Sequence, residues 1–162
     1  MRIEDHGLGV DVPETWDGRV VRDGASVVLE AASVRLGHHD RASVETHPAM
    51  GPDDLYLRIF ETELSSGDVA TDESWAAGAL PLSFTRNDLS PVFENTSLPA
   101  FGVRFWIVDG RCLTVNAGFG PHPDRGQPVW PKEGAPVRVP VSHERLQQLN
   151  AVLATLRMEA RT

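Results

Sequence analysis

The chain has 162 residues, of which 41% are hydrophobic and 23% are charged, so we expect one globular domain spanning 1–162. Its formal net charge of −8 disfavours nucleic acid and anionic membrane surfaces as partners. The single cysteine, Cys112, excludes an intramolecular disulfide. No apolar run reaches the length of a membrane span or resembles a signal peptide, so we expect no membrane insertion and a cytoplasmic location.

The first predicted element is a strand in which Leu8, Val10 and Val12 alternate with polar or small residues. Pro13 ends it, and we expect the chain to turn into a second, short strand at 19–22 of the same sheet. A Gly-x-Gly pattern precedes the first strand, but no third glycine follows, and no helix opens there. This pattern therefore predicts entry into a sheet and not a phosphate-binding loop.

Two further strands follow. Positions 26–36 are apolar on both alternating faces, which predicts a strand that is covered on both sides. After a polar loop at 37–54, residues 55–62 form another predicted strand with Leu57 and Ile59 pointing inward. In 63–98 the apolar periodicity is weak. Asp72 is a candidate cap for a short helix through Trp75 and Ala76. Ser90-Pro91 is a candidate start of another short helix.

Residues 101–119 form a predicted hairpin with its turn at Asp109-Gly110. A two-residue loop would set Phe105 against Thr114 and mix apolar with polar residues on each face. We therefore predict a three-residue loop, 108–110, which sets Phe105 against Leu113 and makes one face wholly apolar. The opposite face would then carry Arg104, Trp106, Cys112, Thr114 and Asn116.

The C-terminal part combines an irregular loop with a helix. Residues 121–136 are rich in proline and glycine, which predicts a loop insertion that carries Trp130. Ser142 is a good N-cap for an amphipathic helix packed on the sheet. Its predicted apolar stripe consists of Leu146, Leu149, Leu153 and Leu156.

The chemically reactive side chains form no strong motif. His38, His39 and His47, with nearby Asp40, could supply zinc ligands, but their spacing suits a solvated loop better. We therefore expect no metal, and a metal protein that uses these three histidines is left open as a third hypothesis. Cys112 lies inside a predicted strand with no histidine near it in sequence, which favours a structural role. We accordingly expect no catalytic residue and no cofactor.

The predicted polar face of the hairpin is the best candidate for binding. Arg104, Trp106, Thr114 and Asn116 would line one patch, and arginine and tryptophan are favoured at binding hot spots. The alternative is that another helix covers Trp106. Trp130 is either packed onto the core or in contact with a partner.

Several stretches together resemble a known family. These are the pattern Gly-Leu-x-Val-x-Val-Pro-x-x-Trp-x-Gly-Arg from Gly7, VVLEAASVRL, LYLRIFETE, GRCLTVNAGFG and LNAVLATLRM. They are similar to a family from GC-rich actinobacteria in the PsbP-like superfamily, which includes a photosystem extrinsic subunit and a Ran-binding import factor. The resemblance implies an α+β fold in which helices flank an antiparallel sheet as an α/β/α sandwich. It carries over no catalytic residue.

The function expected from these observations is that of a non-catalytic protein-interaction module, an adaptor or chaperone-like protein whose partner is another protein. A homodimer is left open. The alternative is a small-molecule-binding protein or minor enzyme, with a pocket between sheet and helix lined by Arg104, Trp106 and Asn116.

Overall fold

A computed structural model describes residues 1–37, 50–51, 53–62, 73–90, 100–120 and 141–159. In chain order, the elements within these ranges are β1 (Arg2–Asp5), β2 (Leu8–Asp11), β3 (Asp17–Asp23), β4 (Ser26–Ala32), β5 (Leu55–Thr62), β6 (Trp75–Ala77), a 3₁₀ turn (Arg86–Asp88), β7 (Leu89–Ser90), β8 (Ala100–Val108), β9 (Arg111–Phe119), α1 (His143–Leu153) and β10 (Arg157–Met158).

Most of these strands form one large sheet in the order β3-β4-β5-β9-β8-β6, with β7 also paired to β8. The pairing is antiparallel except between β6 and β8. The predicted strands at 19–22 and 55–62 are confirmed, and β4 is buried on both faces as expected, although it ends at Ala32. The helix suggested around Trp75 is wrong, because this segment pairs with β8 and sheet pairing outweighs a local capping signal.

A second, small sheet consists of β1, β2 and β10. The sequence reading missed β1, a short and highly charged strand, and so wrongly placed 8–12 in the same sheet as 19–22. His6 and Gly7 connect β1 to β2 with φ of 50° and 75°, so Gly7 supplies a left-handed turn position. The small sheet lies against the large one: a Cβ on Gly18 would sit 1.9 Å from Cδ1 of Ile3.

We call the face of the large sheet that meets the small sheet the inner face. Helix α1 also packs there, burying Leu146, Leu149, Val152 and Leu153. The side chain of Ser142 accepts a hydrogen bond from the backbone N–H of Arg145, which confirms the predicted N-cap. The expected α/β/α sandwich is wrong, because the described residues are mainly β, with one α-helix that shares the inner face with a second sheet.

The segment 78–88, which we call the strap, closes the remaining part of the inner face. It buries Leu82 and Phe84, and the Phe84 ring meets the ring of Trp106 edge-on at 5.6 Å. One helix side chain fastens it: Asn150 donates from Nδ2 to the carbonyl of Phe84 and accepts from its N–H, both at 2.8 Å. The strap therefore joins α1 to the inner face of β8.

We expect Asn150→Ala to lower the free energy of unfolding by about 1–3 kcal/mol, because the N–H and carbonyl of Phe84 would lose their partner in a mostly buried position. Chemical denaturation measures this change. Gln148→Ala, at an exposed position of the same helix, is the matched control and should change stability by less than about 0.5 kcal/mol. Equal effects of the two substitutions would show that the amide does not hold the strap.

Candidate binding face

The hairpin register decides which side chains share a face. Val108 pairs with Arg111, so the loop has two residues, Asp109 and Gly110, and the predicted three-residue loop is wrong. Both loop residues adopt left-handed backbone angles, with φ of 49° and 76°, a turn whose twist matches that of the strands. Phe105 therefore lies opposite Thr114. The register could not be predicted by requiring one wholly apolar face, because both faces of this hairpin carry large apolar side chains.

This register places Trp106 on the inner face, opposite Leu113, with only 6% of its surface exposed. Arg104 lies on the same face, with its guanidinium 5.3 Å from the Trp106 ring centroid and paired with the carboxylate of Asp88. Burial acts to raise the pKa of Asp88, but hydrogen bonds from Thr85 and from Arg104 outweigh it and lower that pKa. Arg104 thus anchors the end of the strap.

The four hairpin residues predicted to form one patch are therefore divided between two faces. Thr114 and Asn116 lie on the opposite side of the sheet, which we call the outer face, and both are half-buried there. The predicted pocket lined by Trp106, Arg104 and Asn116 would need residues from both faces, so the structure does not bring its lining together. Trp130 lies outside the described residues.

An aromatic row runs across the outer face, made by residues that are neighbours in register: Trp75, Phe105, Thr114 and Phe60. All four are half-buried. The rings of Trp75 and Phe105 are 5.3 Å apart between centroids and tilted by 53°. The row thus presents three aromatic rings and one hydroxyl, and no charged group, on a chain whose net charge is −8.

A polar row lies beside it, formed in register by Asn116, Arg58, Glu30 and Arg19. Glu30 and Arg58 are buried. Arg19 contacts the Glu30 carboxylate at 2.6 Å, and the Arg58 guanidinium lies 4.9 Å from the centroid of the Phe60 ring. This cation–π contact links the polar row to the aromatic row.

The phenol of Tyr56 completes the polar network by donating a 2.7 Å hydrogen bond to Oε1 of Glu30. Burial and then the adjacent Glu30 carboxylate raise the pKa of Tyr56 well above its usual value, so the phenol stays protonated at neutral pH. Glu30 receives donors on both oxygens, from Tyr56 and from Arg19. These contacts hold the side chains of the polar row in place beside the aromatic row.

The sequence analysis did not predict this face, although the sequence contains one signal for its polar row. Glu30 is the one charged residue of β4, and Arg58, of opposite charge, lies among apolar residues of the neighbouring strand β5. Charged residues are rarely buried without a partner, so such a pair predicts an ion pair across adjacent strands. No similar signal marks Phe60, Trp75 and Phe105, whose common face depends on the register.

The other residues weighed for chemistry lie apart from this face or outside the described ranges. His38, His39 and His47 are outside them, and within them no group of three His, Cys, Asp or Glu side chains is placed to hold a metal ion. Cys112 is a buried thiol on β9. Among the described helices, none has the length and apolar character needed to cross a membrane.

Comparisons of the chain with protein-family models, with curated proteins and with solved structures find no match. The likeness to the PsbP-like superfamily therefore rests on the sequence stretches quoted above, and the sandwich it implied does not describe this chain.

Proposed function

We propose that this chain is a non-catalytic protein-interaction module that binds its partner through the aromatic row of the outer face. The observation that carries the proposal is the register that brings Trp75, Phe105 and Phe60 together, half-buried, around the hydroxyl of Thr114. Aromatic side chains contribute much of the binding energy at protein interfaces. The partner best matched to such a row is a protein surface of apolar and uncharged polar side chains, because a charged one would lose water without gaining an opposite charge.

The polar row supports binding more than proton transfer. A general acid or base must exchange a proton near neutral pH. The phenol of Tyr56 keeps its proton there, and the Glu30 carboxylate is already bonded to Tyr56 and Arg19. These side chains fix the strands in position and so preorganise the neighbouring rings, which reduces the entropy lost on binding.

The test compares two side-chain truncations, one in the aromatic row and one outside it, in a crosslinking pull-down from the source cells. We expect Phe105→Ser to lose the specific partner that the wild-type chain captures, because it removes the central ring of the aromatic row. Leu80→Ser is the matched control, since Leu80 is 39% exposed and lies on the strap. It should capture the partner as the wild type does.

Amide hydrogen exchange of the chain bound to that partner locates the contact. Protection of β5, β6 and β8 around the row is the expected result. Equal capture by wild type and Phe105→Ser, with thermal melts showing both folded, would contradict the proposal.

A further inference from the structure

Strand β3 is an edge strand of the large sheet, because it pairs only with β4. The opposite edge consists of short strands: β6 pairs with residues 105–107 of β8, and β7 pairs with residues 101–102. An unprotected edge is a template for pairing with another chain. Among the described strands of the large sheet, β3 forms the long edge: it has seven residues and a neighbour on one side only.

The hairpin between β3 and β4 identifies the backbone groups that face outward. Asp23 pairs with Ser26 around a two-residue loop, so these two residues exchange hydrogen bonds with each other. Hydrogen-bonded and non-hydrogen-bonded pairs alternate along an antiparallel ladder. The N–H and carbonyl groups of Val20 and Arg22 therefore point away from β4. In the described part of the chain, no hydrogen-bond partner is recorded for these four groups.

The sequence of β3, DGRVVRD, suits pairing with itself. Outward groups belong to alternate residues, and the two-fold antiparallel pairings that keep both Val20 and Arg22 paired within the strand are centred on Val20 or on Val21. Centring on Val20 sets Asp17 against Asp23 of the second copy, which is a repulsive pair. Centring on Val21 sets Arg19 against Asp23 of the second copy, which is an attractive pair. The two-fold axis repeats this pair, so the interface contains two of them.

We propose that a second copy of this chain pairs with β3 in antiparallel fashion about Val21, joining the two large sheets into one. The outward groups of Val20 and Arg22 then bond to those of Arg22 and Val20 in the second copy. Asp23 is exposed and makes no recorded ion pair within the described residues, so it is available to Arg19 of the second copy. Arg19 contacts Glu30 and also donates from Nη1 to the carbonyl of Gly37. Its guanidinium has five N–H donors, so it can serve this carboxylate as well.

The experiment measures molecular mass by sedimentation across a wide range of protein concentration. An interface of a few strand pairs falls at the small end of specific interfaces, so we expect a weak dimer of the 17.7 kDa chain that forms as concentration rises. Val20→Pro should keep the chain monomeric, because it removes an outward N–H without touching the bonds to β4. Asp23→Arg should do the same by facing Arg19 of the second copy with a like charge.

Glu73→Arg is the control for the change in charge, because Glu73 is exposed and precedes β6 at the opposite edge of the large sheet. It should dimerise as the wild type does. Amide exchange of the wild type provides a readout independent of any variant: the Val20 and Arg22 amides should become protected as concentration rises. A wild type that stays monomeric at high concentration, or dimers unaffected by both Val20→Pro and Asp23→Arg, would overturn the proposal.

Discussion

Glu61→Gln is expected to destabilise the chain by about 3–5 kcal/mol, the cost of removing one partner from a buried ion pair. Glu61 is 1% exposed, and both of its carboxylate oxygens accept hydrogen bonds from Arg111, at 2.6 and 2.5 Å. Glutamine keeps the shape but leaves the guanidinium without its counter-charge. The melting temperature should fall by about 2–4 °C for each kcal/mol in a chain of this size.

The size of this effect reflects the position of the pair between the two sheets. Arg111 also donates to the carbonyl of Glu159 at 3.0 Å, and the N–H of Glu159 donates to the carbonyl of Gly7. Loss of the pair therefore loosens the small sheet from the large one. Replacing Glu61 and Arg111 together by leucine should cost less than Glu61→Gln, because no charge remains buried. A Glu61→Gln variant within about 0.5 kcal/mol of the wild type would contradict this role.

Trp106→Ala is expected to cost about 3–5 kcal/mol of stability, as truncations of large buried aromatic side chains do. Trp106 packs between Phe84 of the strap and the inner face, and a Cβ on Gly78 would lie 2.9 Å from its indole ring. The substitution leaves a cavity beneath the strap. Equilibrium denaturation of the purified variant measures the loss.

Phe105→Ala, the neighbouring substitution, provides the contrast, because Phe105 is half-buried on the outer face. It should cost clearly less stability than Trp106→Ala while reducing partner binding. If Phe105→Ala proved the more destabilising of the two, the assignment of these residues to opposite faces would be wrong.

The sequence predicts local features well and their assembly less well. The alternation in 55–62 and the cap at Ser142 depend on neighbouring residues, and the structure has both elements where the pattern places them. The hairpin register could not be obtained in this way, since moving Phe105 by one partner still leaves apolar side chains on both faces. Turn geometry at Asp109 and Gly110 sets the register instead.

The small sheet was missed for a related reason. Its strand β1 is short and highly charged and forms a hairpin with β2, whereas β10 has two residues and pairs with β2 from the other end of the chain. No local period signals so short a strand or the long-range pairing of β10. The binding face could not be predicted without the hairpin register. Its residues become neighbours through the alignment of β5, β8 and β9, which depends on that register.

The most direct test of this account is nuclear magnetic resonance of the β8–β9 hairpin, because the account depends on which residues share the outer face. With a two-residue loop, Phe105 and Thr114 form a non-hydrogen-bonded pair, whose Cα atoms are about 4.5 Å apart. We predict a strong Overhauser effect between their Hα protons, and another between those of Ile107 and Cys112. With a three-residue loop, Trp106 and Cys112 would instead form a non-hydrogen-bonded pair, so a strong Hα contact between these two residues in place of the predicted ones would contradict the account.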